Sequence, residues 1–241
     1  MDPMIYSAMA GAERAMRAQQ VHANNLANLS TTGFRADLEL ATSETVSGYG
    51  FDARHMSRLQ ANAVSAKAGT AVATGRDLDA AIAGDGFFTV QFGEGEAYTR
   101  SGAFTQDSEG TLLLDGRKVL GETGPIVLAP TSKISIGEDG TISAQVEGQQ
   151  LMETVDKLKL VKPAAADLAK NEAGLVVSRS GEPMPTSEEV VVRGGYMEGS
   201  NVSAVEEMVS TMGLNRDFEI QMKLFKAADD MAANGNRLMR E

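Results

Sequence analysis

The chain contains no cysteine and no tryptophan, and among its 241 residues histidine occurs twice, at His22 and His55. Without a thiol there is no disulfide, no cysteine nucleophile and no thiolate metal site. Neither histidine has a companion at ligand or triad spacing, so both read as ordinary surface imidazoles. Basic residues are outnumbered, 22 against 33 acidic ones, for a net charge of -11. That balance repels a nucleic-acid backbone or an anionic lipid surface before contact, and its simplest consequence is solubility. Long apolar runs are missing too: nothing approaches the roughly 18 residues of a membrane span. The opening MDPMIYSAMAGAERAMRAQQ lacks the basic start and apolar core of a secretory signal. Neither nucleic acid nor direct membrane insertion is expected. Aromatic residues make up only 5%, which points to a light core or one divided between parts.

The remaining candidates for chemistry are weak. Glu188 and Glu189, and Glu206 and Glu207, are adjacent in sequence, and neighbouring side chains of one strand or helix diverge rather than pair as acid and base. AGDGFF at Ala83 to Phe88 lacks the full dinucleotide fingerprint and its following helix, and DSEGT and EDGT lack the ligand ladder of a calcium loop. These segments read as turns, and no catalytic, cofactor or metal residue is expected.

Two kinds of pattern are present. At the N-terminus Asp2 and Pro3 signal a helix start, after which Ile5, Met9, Ala12, Met16, Ala23 and Leu26 recur at alternating three and four spacing. Gln19 interrupts the seam and Gly33 closes it. At the other end Ser203 and Glu206 form a capping box ahead of Val205, Met208, Val209 and Met212. Phe218, Phe225, Ala232 and Met239 then recur at seven-residue intervals, with Leu214 and Met222 between them. Two narrow seams, one at each end, most simply pair with each other. Between them AspGly at Asp85, Asp115 and Asp139, and GluGly at Glu94, Glu109 and Glu147, separate short runs such as FFTV, TLLL, ISI and LKLV. This is the spacing of antiparallel hairpins. The expected fold is a mainly β central domain plus an α-helical coiled-coil domain formed by the N- and C-terminal helices. Residues 1–35 carry the first helix, 36–75 an extended connector without sustained period, 76–195 the all-β domain and 196–241 the second helix.

Five segments carry a resemblance: ANNLANLSTTGF, GDGFFTV, AYTRSGAFTQDSEGTLLLDGRKVLGETGPIVL, IGEDGTI and GSNVSAVEEMVSTMGLNRDFEIQMKLFKAAD. Together they resemble the flagellar basal-body rod and hook proteins from end to end. The start MDPMIYSAMAGAERAM and the ending STTGFRAD look most like the proximal-rod members, with Leu29 in place of a common valine. The resemblance implies a structural axial protein without turnover, exported uncleaved by the flagellum-specific type III apparatus into the rod that crosses the periplasm. Its implied partners are other rod proteins, proximal and distal, copies of itself and the export apparatus. The terminal helices would form an inner tube domain and the β domain would lie outside it. Two rivals are a distal-rod member and an extracellular glycan-binding or glycan-cleaving β domain; four tyrosines and no tryptophan offer the latter little of an aromatic platform.

Asparagine is a poor helix former and costly to bury unpaired, yet Asn24, Asn25 and Asn28 crowd the end of the first helix. Hydrogen bonds to neighbouring subunits would answer this, fixing register as a buried asparagine does in a coiled coil; capping of the helix end is the alternative. The expected assembly interface is therefore Ile5, Met9, Met16, Asn24, Asn25, Leu26, Asn28, Gly33, Met212, Phe218, Met222 and Phe225.

Overall fold

The computed structural model describes residues 3–45, 55–146, 151–164, 167–171 and 174–238. The cap at Asp2, the turn at Glu147 and the seam position Met239 lie outside them. The chain forms two compact units: residues 1–27, 37–62 and 203–241 make one, and 28–36 with 63–202 make the other.

The first unit holds helix α1 (Pro3–Ala27), helix α2 (Ala204–Leu238) and most of a two-stranded sheet of β1 (Asp37–Thr45) and β2 (His55–Val64). The ladder of β1 and β2 forms where the sequence pattern reads as an unpatterned connector. Backbone pairing needs no alternation of apolar side chains, so such a ribbon leaves little trace in composition. The two helices run in opposite senses, since Gly11 lies against Gln221 and His22 against Glu207.

The faces that meet are not the expected seams. Ala8, Ala12, Ala15 and Ala18, at spacings of four and three, are buried on α1, whereas Met9 and Met16 are exposed. A beta carbon on Gly11 would sit 2.8 Å from the Gln221 side chain, so the helices approach closely along this small-residue face. Successive residues of a helix point about 100° apart, and a close approach through alanine at 8 and 15 turns the methionines at 9 and 16 away. Of the expected seam on α1, Ala12 alone joins the buried stripe. On α2 Leu214, Phe218 and Gln221 are half-buried and Ala228 is buried, while Met212, Met222 and Phe225 are exposed.

The second unit is all β. Short strands β3 (Ala71–Ala73) and β4 (Ala80–Ala83) lead into a hairpin of β5 (Phe87–Phe92) and β6 (Gly95–Thr99). A meander follows, built from β7 (Thr105–Gln106), β8 (Leu112–Leu114) and β9 (Arg117–Lys118), then a second from β10 (Thr131–Ile136), β11 (Thr141–Val146) and β12 (Glu153–Lys157). Strands β13 (Leu160–Val161), β14 (Leu168–Lys170) and β15 (Val176–Ser178) join the hairpin in a five-stranded antiparallel sheet ordered β13-β5-β6-β15-β14. Finally β16 (Val191–Gly194) pairs with β4, and β17 (Tyr196–Glu198) pairs with β3. The AspGly signal at Asp115 acts as expected: Asp115 and Gly116 both have positive φ, at 49° and 76°, the conformation of a two-residue hairpin turn, and they join β8 to β9. Asp85 and Gly86 instead link β4 to β5, which belong to different sheets. The core gathers Phe88, Val90, Phe104, Leu112, Val119, Ile126, Leu128, Ile142, Leu158, Leu160 and Val192, with Phe88 and Phe104 edge to face at 5.3 Å.

Candidate assembly surface

The crowded end of α1 is resolved inside the chain. Asn25 is buried, and its side-chain amide bridges the start of β1: Nδ2 donates to the Asp37 carbonyl at 3.1 Å, and Oδ1 accepts from the Asp37 N–H at 2.8 Å. The side chain thus acts as one more peptide group beside the strand. Nδ2 also reaches Glu207 Oε1 at 3.3 Å, and the other Glu207 oxygen pairs with His22 Nδ1. Asn24 Nδ2 donates to Asp37 Oδ2 at 2.7 Å, and Asn28 Oδ1 accepts from Thr31 Oγ1 at 3.1 Å. The idea that these amides await a neighbouring subunit is corrected for Asn25, whose carbonyl and amide both have partners in their own chain. At α2, Ser203 accepts from Glu206 N–H at 3.5 Å, the capping half of the predicted box. The carboxylate that reaches across to α1 belongs to Glu207, one residue on.

Gly33 lies in the second unit. Its φ is +68°, its N–H donates to the Glu198 carbonyl at 2.8 Å, and a beta carbon there would fall 2.0 Å from the Ser101 nitrogen. Close behind it a charged cluster is buried. Arg35 Nη2 lies 3.0 Å from one Glu198 carboxylate oxygen, and Arg100 Nε lies 2.9 Å from the other, an ion pair whose N–H is not aligned as a hydrogen bond. Arg100 also donates to the carbonyls of Gly86 at 2.8 Å and Gly84 at 2.5 Å, and Arg35 to that of Ala66 at 3.1 Å. Burial lowers both guanidinium pKa values from their usual range, that of Arg100 to about 10, while Glu198 opposes the shift, so both stay cationic at neutral pH. Lys170 stands over the Phe34 ring at 4.1 Å and donates to the Arg35 carbonyl at 3.1 Å. None of Arg35, Arg100 and Glu198 is a sequence-predicted site residue. The signal available was a charge within otherwise glycine-rich turn segments, and each partner is distant along the chain.

The predicted interface residues fall into two groups. Asn25 is buried, and Ile5, Asn28, Gly33 and Phe218 are half-buried. Met9, Met16, Asn24, Leu26, Met212, Met222 and Phe225 are exposed. Sequence reasoning did not single out Tyr6, Ile220, Leu224 and Met231, which are exposed as well; Val205, Met208 and Val209 were noted only with the capping box. Large apolar side chains in this number on two helices are uncommon on a protein that works alone. Among the described residues no helix is long and apolar enough to cross a membrane, and no group of three His, Cys, Asp or Glu could hold a metal ion.

Three family models match successive parts of the chain. They are "Flagella basal body rod protein" at 5–35, "Flagellar hook protein FlgE/F/G D1 domain" at 81–144 and "Flagellar basal body rod FlgEFG protein C-terminal" at 193–238. Over nearly its whole length the chain is 36% identical across 249 residues to the flagellar basal-body rod protein FlgF of Escherichia coli K12, covering 99% of both chains. The chain belongs to the flagellar basal-body rod protein family. The FlgF of Salmonella typhimurium LT2 is 35% identical with the same coverage, and the FlgG of Borreliella burgdorferi is 32% identical over 95% of this chain and 97% of its own. These two FlgF proteins match at higher identity and over more of the chain than the Borreliella FlgG, so the chain is most like FlgF, and neither the distal-rod nor the glycan-directed alternative is favoured. The rod subunit is thus a structural component of the flagellar basal body; α2 lies within one matched family segment, and all of α1 but its first two residues lies within another.

Proposed function

We propose that the rod subunit polymerises through the outward apolar faces of α1 and α2, with copies of itself and with other rod proteins, and transmits torque along the rod across the periplasm. The flagellar type III export apparatus delivers it there without cleavage of a signal peptide. Its work is mechanical, with no catalytic turnover. One observation carries the reading: alanine lines the meeting face of the two helices, while Met9, Met16, Met212 and Met222 point outward. Burying such side chains is worth about 1.5 to 3 kcal/mol each, so a lone subunit leaves a large association energy unrealised. Methionine also suits a surface that must fit several non-identical neighbours, because its unbranched chain adapts to irregular gaps.

Met212→Asp tests this directly. Met212 is 72% exposed, so a carboxylate there is tolerated in the free chain but desolvated in a packed tube. The expected outcome is normal expression and export with at least a tenfold drop in incorporation into isolated basal bodies. Incorporation at the wild-type level contradicts the proposed surface.

A further inference from the structure

The chain passes between its two units four times, at residues 27/28, 36/37, 62/63 and 202/203. On the β side three of these passages lead directly into segments that hydrogen-bond to one another. The Ala36 N–H donates to Asn201 Oδ1 at 2.8 Å, and the Ala36 carbonyl accepts from Ser65 at 2.9 Å. Asn201 Nδ2 donates to the Lys67 carbonyl at 2.7 Å, and Gly199 N–H donates to the Thr70 carbonyl at 2.9 Å. The fourth passage, at 27/28, enters the same segment that ends in Ala36. Glu198 stands at the centre of this node. One carboxylate oxygen accepts from Gly69 N–H at 2.8 Å and pairs with Arg35, the other pairs with Arg100, and the backbone carbonyl accepts from Gly33. Arg100 in turn grips the carbonyls of Gly84 and Gly86 at the entrance to β5.

We infer that Glu198 is a positioning residue that ties the β-unit ends of the chain passages into one rigid node, the joint within that unit through which force carried along the chain enters it. The inference rests on the reading that the subunit transmits torque. On the β side the passages at 27/28, 36/37 and 202/203 continue into irregular segments, and β2 ends two residues beyond 62/63, so each segment alone has soft backbone torsions. Tied to one carboxylate, the segments at 33–36, 65–70 and 198–201 are loaded together, and Arg100 passes the load to the central sheet. A buried carboxylate suits the task because its two oxygens accept from several directions at once, and because parting it from two desolvated guanidiniums is costly.

Hydrogen exchange in the full-length protein and swimming assays test the joint. Glu198→Gln keeps an acceptor for Gly69 and removes the charge between the arginines; Asn201→Ala cuts the node elsewhere and leaves the arginines paired. Both are expected to speed exchange at least tenfold at Gly33, Ala36, Gly69 and Gly199, with the β5–β6 ladder unchanged. In a flagellated strain with the gene as its sole copy, both variants are expected to swim normally in dilute buffer and to lose at least half the wild-type speed in viscous medium. Equal acceleration at node and ladder would make Glu198 a prop of global stability only. Wild-type swimming at all viscosities despite a loosened node would show that the joint carries no load. Either result overturns the inference, whereas failure of the wild-type gene to restore swimming would count against the torque reading itself.

Discussion

At the scale of single residues, positions that look alike in sequence differ by what surrounds them. Gly33 and Gly116 both have positive φ, at 68° and 76°, yet a beta carbon at 33 meets backbone atoms at 2.0 Å and at 116 meets nothing within 4 Å. Gly33→Ala therefore adds a backbone clash to left-handed strain and is expected to cost about 3 kcal/mol. Gly116→Ala carries strain alone, about 1 kcal/mol. Thermal unfolding separates them as midpoint drops of about 6 to 12 °C against about 2 to 4 °C, and equal drops would contradict the close approach at Ser101. The sequence pattern reads Gly33 as the helix stop, but α1 already ends at Ala27 and the Gly33 N–H donates to the Glu198 carbonyl. The role it does have was not legible, because it depends on Ser101 and Glu198, which lie far along the chain. The asparagines teach the same lesson. Three amides at a helix end announce that something must pair with them, but for Asn25 the partners are the strand residue Asp37 and the distant Glu207, which no local spacing reveals.

At the scale of elements, both helices, the capping serine and the hairpin turns were readable, because helix caps and AspGly pairs act locally. The partner of each helix face was not. A heptad pattern says which residues are apolar, not whether large or small ones will meet, and here the small stripe Ala8, Ala12, Ala15 and Ala18 lies against the partner helix. Ala15→Leu is expected to push the helices apart and destabilise the first unit by about 1 to 3 kcal/mol, seen as earlier loss of helical circular dichroism with the β unit unaffected. Met16→Ala, on the exposed face, is expected to leave that transition within about 0.5 kcal/mol. If Met16→Ala were the more damaging of the two in the free subunit, the assignment of the two faces would be reversed. Phe218 is half-buried, so a charge there would disturb the helix pair as well as any outer contact, and Met212 is the cleaner probe of assembly.

At the scale of the whole molecule, the division into helical ends and a β centre was legible from the change of period, but the ends of the β unit were not. The hairpin signals stop near residue 195, whereas the compact unit also takes in 28–36, 63–75 and 196–202, which supply Arg35, β3 and Glu198. A fragment of residues 28–202 is expected to melt cooperatively. A fragment of 76–195 buries Arg100 without its carboxylate, a loss of about 3 to 5 kcal/mol, and is expected to melt at least 10 °C lower or without a sharp transition; equal melting of the two would show that the cluster adds nothing to the fold. The central claim, that outward methionines of α1 and α2 become the packed interior of the rod, is tested most directly by peroxide oxidation of methionine, read residue by residue in free subunits and in isolated rods. Met184 is buried in the β unit and Met152 is exposed there, so they serve as internal references. The account predicts that Met9, Met16, Met212 and Met222 oxidise in the free subunit and are protected at least tenfold in rods, with Met184 protected in both states. Equal oxidation of Met16 and Met212 in free and assembled protein would contradict it.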